Sequence, residues 1–428
     1  MTSSGILVVA VVLIGYGAVS GRLAGTVVTP AIVFVGVGLL LGDAGLDVFA
    51  GEISAASIRV LAEATLALVL FSDASALDTR ALRRESGLPV RLLTVGLPIT
   101  IVLGSLLAMW WFTDLVVWEA VVLAVMLAPT DAALGQAVVS DPRLPSKLRQ
   151  GLNVESGLND GVCVPLLMAA VAFATLEEAP SWDGGILVDL VRELAIAAAV
   201  GAAVAFLAAT VWKAAERRHW ITEHWAQVFP LATVVVAYVA TDELGGSGFI
   251  ACFVGGLVFG RLLGPARGQV IEFSEQIGGV LSAVTFFLFA AVLAGPAFDR
   301  LDATTVLYAV LSLTVIRMLP VALSFIGTGS PWQTVVYAGW FGPRGLATIV
   351  FGLTIIGESG LTGIDRITDV ATITVLLSVL AHGVTAPALT DRYVAWRSGR
   401  ADLPPVDDET APVVTEMGSR GGLWRHHR

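Results

Sequence analysis

The sequence predicts an all-α membrane protein with about thirteen transmembrane helices. Three observations support this: composition, the length of the apolar runs, and the sorting of charge between them. Of the 428 residues, 56% are hydrophobic and 14% are charged, whereas soluble domains carry about 25% charged residues. Mean hydropathy is +0.82, and the apolar residues form runs of about 17–25, the length that a membrane-spanning helix needs. A large soluble core is therefore excluded. No basic patch is suited to nucleic acid, so no nucleic-acid partner is expected.

Thirteen segments have the apolarity of a membrane span. They lie at about 5–21, 27–42, 56–72, 88–111, 115–140, 153–176, 186–212, 224–241, 247–263, 276–296, 303–326, 332–357 and 367–390. These runs are too long and continuous for strands of an outer-membrane barrel, which alternate between apolar and polar residues. No positively charged region precedes the first run, so we expect a retained span and not a cleaved signal peptide.

Charge alternates from loop to loop and assigns the two sides of the membrane. One set of loops is basic and holds Arg22; Arg80, Arg83 and Arg84; Arg143, Lys147 and Arg149; Lys213, Arg217 and Arg218; Arg261 and Arg267; and Arg392, Arg397 and Arg400. The other set is mostly acidic and holds Asp43, Asp47 and Glu52; Asp114; Glu177, Glu178 and Asp183; Asp242 and Glu243; Asp299 and Asp302; and Glu358 and Asp365. The positive-inside rule makes the basic set cytoplasmic. It predicts a multi-pass protein of a bacterial inner membrane with its N-terminus outside and its C-terminus inside. Residues 391–428 are expected to form a disordered cytoplasmic tail.

Ionisable residues inside apolar helices are the candidates for function, because each costs at least about 2.5–3.5 kcal/mol at the bilayer centre. The first is Asp131, in the middle of the fifth segment. Pro129 removes a backbone donor and disfavours helix just before it. Non-helical backbone at membrane depth occurs where it lines a cavity or is buried in protein, which makes Thr130 and Asp131 candidate site residues. The alternative is a simple proline kink with a hydrogen-bonded Asp131.

The second group opens the sixth segment. Glu155 and Asn159 are four residues apart, as are Ser156 and Asp160, so each pair lies on one face of a helix. Together they supply several oxygen ligands within little more than one turn, which hard cations prefer. The alternative is a capped helix start at the membrane surface. Asp160 lies about 10 Å deeper than such a start at 1.5 Å per residue, which disfavours that alternative.

Two arginines also lie at membrane depth. Arg317 is in the middle of the eleventh segment and needs an anionic partner, for which Glu155 is the natural candidate; alternatively, Arg317 only fastens helices together. Arg344 follows Gly342 and Pro343, which break the twelfth segment. Interrupted helices in corresponding positions of two halves point to a transporter site made by inverted repeats. The expected repeats are spans 1–6 and 8–13, with span 7 linking them.

Motifs of enzymes and of cofactor binding are missing from the sequence. It has no P-loop, no serine elbow and no cluster of His and Cys for zinc. Cys163 and Cys252 lie in apolar runs and indicate neither a disulfide framework nor a metal site. His382, alone in the thirteenth segment, is more typical of a packed, hydrogen-bonded residue than of a ligand. Neither an enzyme nor a bound cofactor is expected.

Five pieces of the sequence resemble, in order and spacing, the bacterial NhaP-type sodium/proton antiporters, relatives of the eukaryotic sodium/proton exchangers. The pieces are Thr130-Asp131, Glu155-Ser156 with Asn159-Asp160, mid-helix Arg317, Gly342-Pro343-Arg344-Gly345, and His382-Gly383-Val384-Thr385-Ala386-Pro387. They cover nearly the whole membrane region. One departure is Ala132, where the family often has Pro. This departure bears on ion selectivity.

The resemblance implies a homodimer whose protomer has a dimerisation domain and a core domain. The dimerisation domain would contain 1–72 and 186–296, including the linking seventh helix, and the core domain 88–176 and 303–390, with the fifth and twelfth helices crossed and unwound. The resemblance also implies that Asp160, Asp131, Ser156 and Thr130 hold a Na⁺ ion. Glu155, Asn159 and Arg317 would brace that site, and Arg344 would supply the charge at the crossing.

The function predicted from these residues is the exchange of Na⁺, or Li⁺, for H⁺ across the plasma membrane. If both ions compete for Asp160, exchange follows without a separate coupling device, provided that the empty charged core cannot cross. The resemblance also implies that the Asn159-Asp160 pair goes with electroneutral one-for-one exchange, by movement of the core domain against the dimerisation domain. The alternatives are K⁺/H⁺ exchange, an ion channel, and an intramembrane hydrolase using Asp131 and Asp160, in which Arg317 has no role.

Overall fold

The computed structural model describes residues 3–23, 26–49, 55–77, 87–131, 134–139, 141–175, 185–356 and 360–400. Within these ranges the ordered elements are all helices. They are α1 (Ser3–Leu23), α2 (Pro30–Leu41), α3 (Ala55–Ala76), α4 (Gly87–Trp111), α5a (Val117–Met126), α5b (Gln136–Val139), α6 (Ser146–Ala174), α7 (Gly185–Arg217), α8 (Glu223–Glu243), α9 (Gly248–Leu263), α10 (Arg267–Asp299), α11 (Ala303–Ser324), α12a (Trp332–Trp340), α12b (Leu346–Ile355) and α13 (Ile364–Ser398).

The all-helical membrane fold is confirmed, and each of the thirteen predicted segments contains helix. Among the described residues, nine helices are long and apolar enough to cross a membrane: α1, α4, α6, α7, α8, α9, α10, α11 and α13. Three shorter apolar helices are α2, α5a and α12b. The interruptions of the fifth and twelfth segments fall where Pro129 and Gly342-Pro343 predict them.

Several predicted boundaries were wrong. Helix α6 begins at Ser146, seven residues before the predicted start, and α10 begins at Arg267 instead of 276. Residues 391–398, assigned to the tail, are the last two turns of α13. The rest of the tail beyond 400 lies outside the described residues. So do Ala132 and the predicted loop charges Glu52, Arg80, Arg83, Arg84, Glu177, Glu178, Asp183 and Glu358.

Two further irregularities lie in helices that the sequence predicts to be continuous. Helix α4 contains a π-helical turn over Leu92–Gly96, which inserts one residue into the regular ladder. Helix α11 is broken at Thr314, where φ is −113° and ψ is −90°. This break comes three residues before Arg317.

The helices pack in two groups. In the first, α3 packs against α9 and α10, α7 against α8 and α9, and α2 against α10. In the second, α5a packs against α4 and α6, and α13 packs against α11 and α12b. The groups meet where α10 lies against α13 and where α3 lies against α12b and α6. This meeting surface passes beside α12b, the second half of the interrupted twelfth segment.

Glycines bring the backbones of the first group together. An added Cβ at Gly260 of α9 would overlap the backbone of Ser75 in α3, and one at Gly256 would overlap the backbone of Phe71. Small residues at such contacts are what allows close helix packing in lipid, where apolar surface alone gives little drive to associate. The pairing of α3 with α9 therefore depends on these two glycines.

We expect Gly260→Ala to lower the apparent melting temperature of the detergent-purified protein, because overpacking of a close contact costs about 1–3 kcal/mol. The matched control is Gly279→Ala in α10, where an added Cβ would have no atom within 4 Å. The control should melt with the wild type. Equal melting of all three proteins would contradict the packing role of Gly260.

Candidate functional site

The two interrupted helices meet at their breaks. The backbone N–H of Asp131 donates to the carbonyl oxygen of Pro343 at 2.8 Å. The Asp131 carboxylate accepts from the N–H of Leu346, the first residue of α12b, at 2.7 Å, and from that of Leu134 at 3.1 Å. The first N–H groups of a helix have no partner within the helix and carry partial positive charge. Asp131 therefore caps the amide end of α12b.

Arg344 makes the complementary contact. Its Nη1 donates to the carbonyl oxygens of Ala128 at 2.7 Å and Pro129 at 2.9 Å, just beyond the end of α5a. Its side chain is fully buried. Each break thus supplies the charge that the other helix end needs: a carboxylate for amides and a guanidinium for carbonyls. Leaving such buried groups unpaired would cost about 1–3 kcal/mol each.

Helix α6 holds the break of α5 from the side. The Ser156 hydroxyl donates to the backbone carbonyl of Thr130, and Asn159 Nδ2 donates to the Thr130 hydroxyl oxygen at 2.8 Å. Both oxygens of Thr130 are therefore fixed by residues of one helical turn. The structure brings together Thr130, Ser156 and Asn159. A small cavity beside them is lined by Thr130, Asp131, Gly135, Val138, Val139, Leu152, Ser156, Phe341 and Pro343.

Asp160 lies one residue further along α6 and is 9% exposed. Its Oδ1 is buried without a hydrogen-bond partner, and the same is true of Asn159 Oδ1. Because α6 begins at Ser146, Asp160 lies fourteen residues into the helix, about 21 Å along its axis. The alternative of a capped helix start at the surface therefore does not hold for this group.

Among the described residues, no three His, Cys, Asp or Glu side chains come together as a metal site. A cation here would instead need oxygens of mixed kind: carboxylate, hydroxyl, carbonyl and amide. Such a set is typical of weakly held hard cations, and each of these oxygen types is present around Thr130 and Asp160.

Asp73 of α3 is a carboxylate that the sequence analysis did not single out. Its charge acts on both Asp131 and Asp160. A Cβ added at Gly157 of α6 would lie 3.8 Å from Asp73 Cβ, so α3 and α6 approach each other here. The predicted span ends at 72 and therefore leaves Asp73 outside it. The observed helix continues to Ala76, so Asp73 lies within a helix. A span predicted to the observed end would have included this carboxylate.

Arg317 and Glu155 form a buried ion pair with two hydrogen bonds, of 2.5 and 2.8 Å. Their side chains are 6% and 4% exposed. This is the partner that the sequence analysis named for Arg317. The pair lies directly against the break of α12, since a Cβ added at Gly342 would overlap the Arg317 guanidinium.

His382 is buried and hydrogen-bonded. Its Nε2 lies 2.9 Å from the carbonyl oxygen of Trp340, the last residue of α12a, and its Nδ1 lies 2.9 Å from that of Ser378. The Ser378 hydroxyl accepts from the backbone N–H of Arg344 at 2.7 Å. His382 and Ser378 therefore support both sides of the α12 break, which fits the packed interpretation of this histidine.

Comparisons with known proteins match this chain over most of its length. A family model described as "Sodium/hydrogen exchanger, transmembrane" matches residues 7–392. The K(+)/H(+) antiporter NhaP of Alkalimonas amylolytica is 25% identical over 329 residues, which are 75% of this chain and 55% of that protein. The K(+)/H(+) antiporter NhaP2 of Shewanella sp. strain ANA-3 is 24% identical over 382 residues, 87% of this chain and 63% of that protein.

The chain thus spans about three fifths of the length of these relatives. Among solved structures, that of the sodium proton antiporter MjNhaP1 from Methanocaldococcus jannaschii at pH 8 superposes with a TM-score of 0.74. It is 20% identical and covers 91% of this chain and 98% of its own. At this identity the likeness establishes a shared fold.

We expect Glu155→Gln and Arg317→Gln each to lower the melting temperature strongly, because each leaves an uncompensated buried charge that costs about 3–5 kcal/mol. The double variant removes both charges and should lose less than the sum of the two single losses. The measurement is thermal unfolding of the purified proteins in detergent. As a control, Arg59→Gln breaks the more exposed Arg59–Glu63 pair and should cost under about 1 kcal/mol. If the melting temperature of the double variant falls by the sum of the two single decreases, Glu155 and Arg317 are not coupled.

Proposed function

Because the chain belongs to the sodium/hydrogen exchanger family, we propose that it exchanges a monovalent cation for protons across the membrane. The family is one of transporters and not of enzymes. The observation that carries the proposal is the orphaned carboxylate oxygen of Asp160. A buried acceptor without a partner is costly. Either a proton or a cation removes that cost, and the two cannot occupy the same oxygen together.

The proposed cation ligands are Asp160, Ser156, Thr130 and Asp131. Asp160 supplies the exchangeable carboxylate, and Asn159 Oδ1 is a second oxygen without a donor beside it. Thr130 is oriented by Ser156 and Asn159. Asp131 already accepts two backbone N–H bonds, but a carboxylate has about four lone-pair positions and retains capacity for a cation.

We further propose that exchange is electroneutral, with one cation moving against one proton. The Glu155–Arg317 pair is neutral as a unit and sits in a bidentate geometry, so it adds no net charge to either loaded form. Asp131 and Arg344 are likewise of opposite sign and cap opposite helix ends. In this proposal the charge that changes during the cycle is that of Asp160.

Alternating access would come from movement of one helix group against the other, in an elevator-type cycle. The packing of α2, α3 and α7–α10 as one group and of α4–α6 and α11–α13 as another supports two bodies of this kind. In this proposal the bodies are the dimerisation and core domains of a homodimer. Spans 1–6 and 8–13 are inverted repeats, whose interrupted helices build the site.

We place the protein in a bacterial inner membrane with its N-terminus outside. The positive-inside rule supports this orientation. Arg22 lies in the last turn of α1 and Arg217 in the last turn of α7, and both turns would then be cytoplasmic.

Sodium and potassium are both candidate substrates. The resemblance of the motifs favours Na⁺, whereas two relatives carry the name K(+)/H(+) antiporter. The ligand atoms around Asp160 are oxygens that suit either ion, so the choice depends on the size of the occupied site.

We expect Asp160→Asn to abolish cation-driven proton movement in proteoliposomes while the protein still inserts and elutes as a single species, because the exchangeable charge is gone. The matched control is Asp189→Asn, an exposed carboxylate near the start of α7, which should retain wild-type rates. Wild-type exchange by Asp160→Asn would overturn the assignment of this residue.

We expect a pH change inside proteoliposomes when Na⁺, Li⁺ or K⁺ is added, with the order of rates giving the selectivity. The initial rate should not change when the membrane potential is clamped at different values, because no net charge moves. A rate that follows the potential would refute electroneutrality. No response to any of the three ions would refute the exchange itself.

A further inference from the structure

An ion pair joins the two helix groups at the end of α10. Arg300 follows directly after Asp299, the last residue of α10, and its Nε and Nη2 donate to the Asp369 carboxylate at 2.7 and 2.8 Å. Asp365 lies 3.6 Å from the same guanidinium. The Asp369 side chain is 7% exposed, whereas that of Arg300 is 46% exposed. Hydrogen bonding to Asp369 raises the pKa of Arg300.

The neighbouring polar contacts stay within one group. Arg366 of α13 donates to Asp302, which caps α11, at 2.8 Å, and to Asp114 at 3.3 Å. Glu119 of α5a accepts from the N–H of Gly363 at 2.8 Å. All of these join α4, α5a, α11 and α13. Among the ion pairs of the described residues, those of Arg300 connect the end of α10 to α13.

A small cavity lies below this ion pair, between the two groups. Its lining comes from α10, α12b and α13 and includes Leu293, Thr348, Thr368 and Thr372. On α13, Thr368 directly precedes Asp369 and Thr372 follows it by three residues. Leu293 lies six residues before Asp299, about 9 Å along the α10 axis. The cavity is therefore within two turns of the end of α10.

The cavity also reaches the helix crossing. Thr348 at its inner wall donates its hydroxyl to the carbonyl oxygen of Met126 at 3.1 Å. Met126 is the last residue of α5a, four residues before Thr130. The ion pair, the cavity and the crossing thus follow one another along the surface where α10 meets α13 and α12b.

We propose that this surface is the access route to the site from the side of the acidic loops, and that the Arg300–Asp369 pair is the gate that holds it shut. The proposal rests on the transport function proposed above. Residues 300–302 are the whole connection between α10 and α11, so relative movement of the two groups bends the chain beside the gate. When the pair separates, Asp369 and Asp365 become free negative charges at the mouth, and such charges raise the local concentration of cations.

The test measures access to Thr372 from one side of the membrane. The background carries Cys163→Ala and Cys252→Ala, so that Thr372→Cys is the single thiol. A membrane-impermeant maleimide is added from the side of the acidic loops of the protein in proteoliposomes. Removing an ion pair worth about 1 kcal/mol raises the population of the conformation with an open gate about fivefold. We therefore expect Arg300→Gln to raise the labelling rate about fivefold. The exchanged pair, Arg300→Asp with Asp369→Arg, should return it toward the parent.

The matched control is Arg366→Gln, which removes an arginine of the same side whose partners lie within one group. It should leave the labelling rate of Thr372→Cys unchanged. An unchanged rate in Arg300→Gln, or an equal rise in Arg366→Gln, would overturn the gate. Cation-driven proton movement is measured on the same proteins. Its absence from the parent would refute the proposed function, while the labelling comparison would still decide whether Arg300 closes this surface.

Discussion

Each broken helix supplies a charged side chain that binds the end of the other, and the rest of the site depends on these two contacts. The Asp131 carboxylate serves the amides that open α12b, and the Arg344 guanidinium serves the carbonyls that close α5a. Non-helical backbone at membrane depth requires such partners, because lipid offers none. The breaks are therefore stable features of the folded protein, and the unwound backbone at Thr130 becomes available to face α6.

Glu155, Arg317 and Asp131 have their partners within the protein, whereas Asp160, the proposed site of exchange, is only partly satisfied. Glu155 and Arg317 satisfy each other through two hydrogen bonds, and Asp131 is occupied by backbone amides. Asp160 has an oxygen with no such partner. In the proposed exchange, a proton or cation meets this incompletely paired carboxylate, on which the Asp73 carboxylate also acts.

The sequence predicts the parts of this arrangement that depend on local chemistry. Pro129 and Gly342-Pro343 mark the breaks because a proline removes a backbone donor and weakens the helix. The four-residue spacing predicts that Glu155 and Asn159 share one helix face, as do Ser156 and Asp160. The start of α6 is missed because the residues after Ser146 are too polar for a membrane span, although Leu148 and Leu152, four residues apart, are buried. The break at Thr314 involves neither proline nor glycine. The approach of Asp73 to Asp160 depends on which helices become neighbours, and no local pattern records that.

Gly342 limits how this protein can change by mutation. The Arg317 guanidinium occupies the space that any side chain at 342 would need. Arg317 lies in α11 and Gly342 in the break of α12, yet side chains at these two positions would share one volume. A larger residue at 342 becomes acceptable only after Arg317 has been shortened, and shortening Arg317 first strands Glu155 in the interior. Each single step thus passes through a damaged protein. The three positions are therefore expected to vary together in descendants of this chain, or not to vary at all.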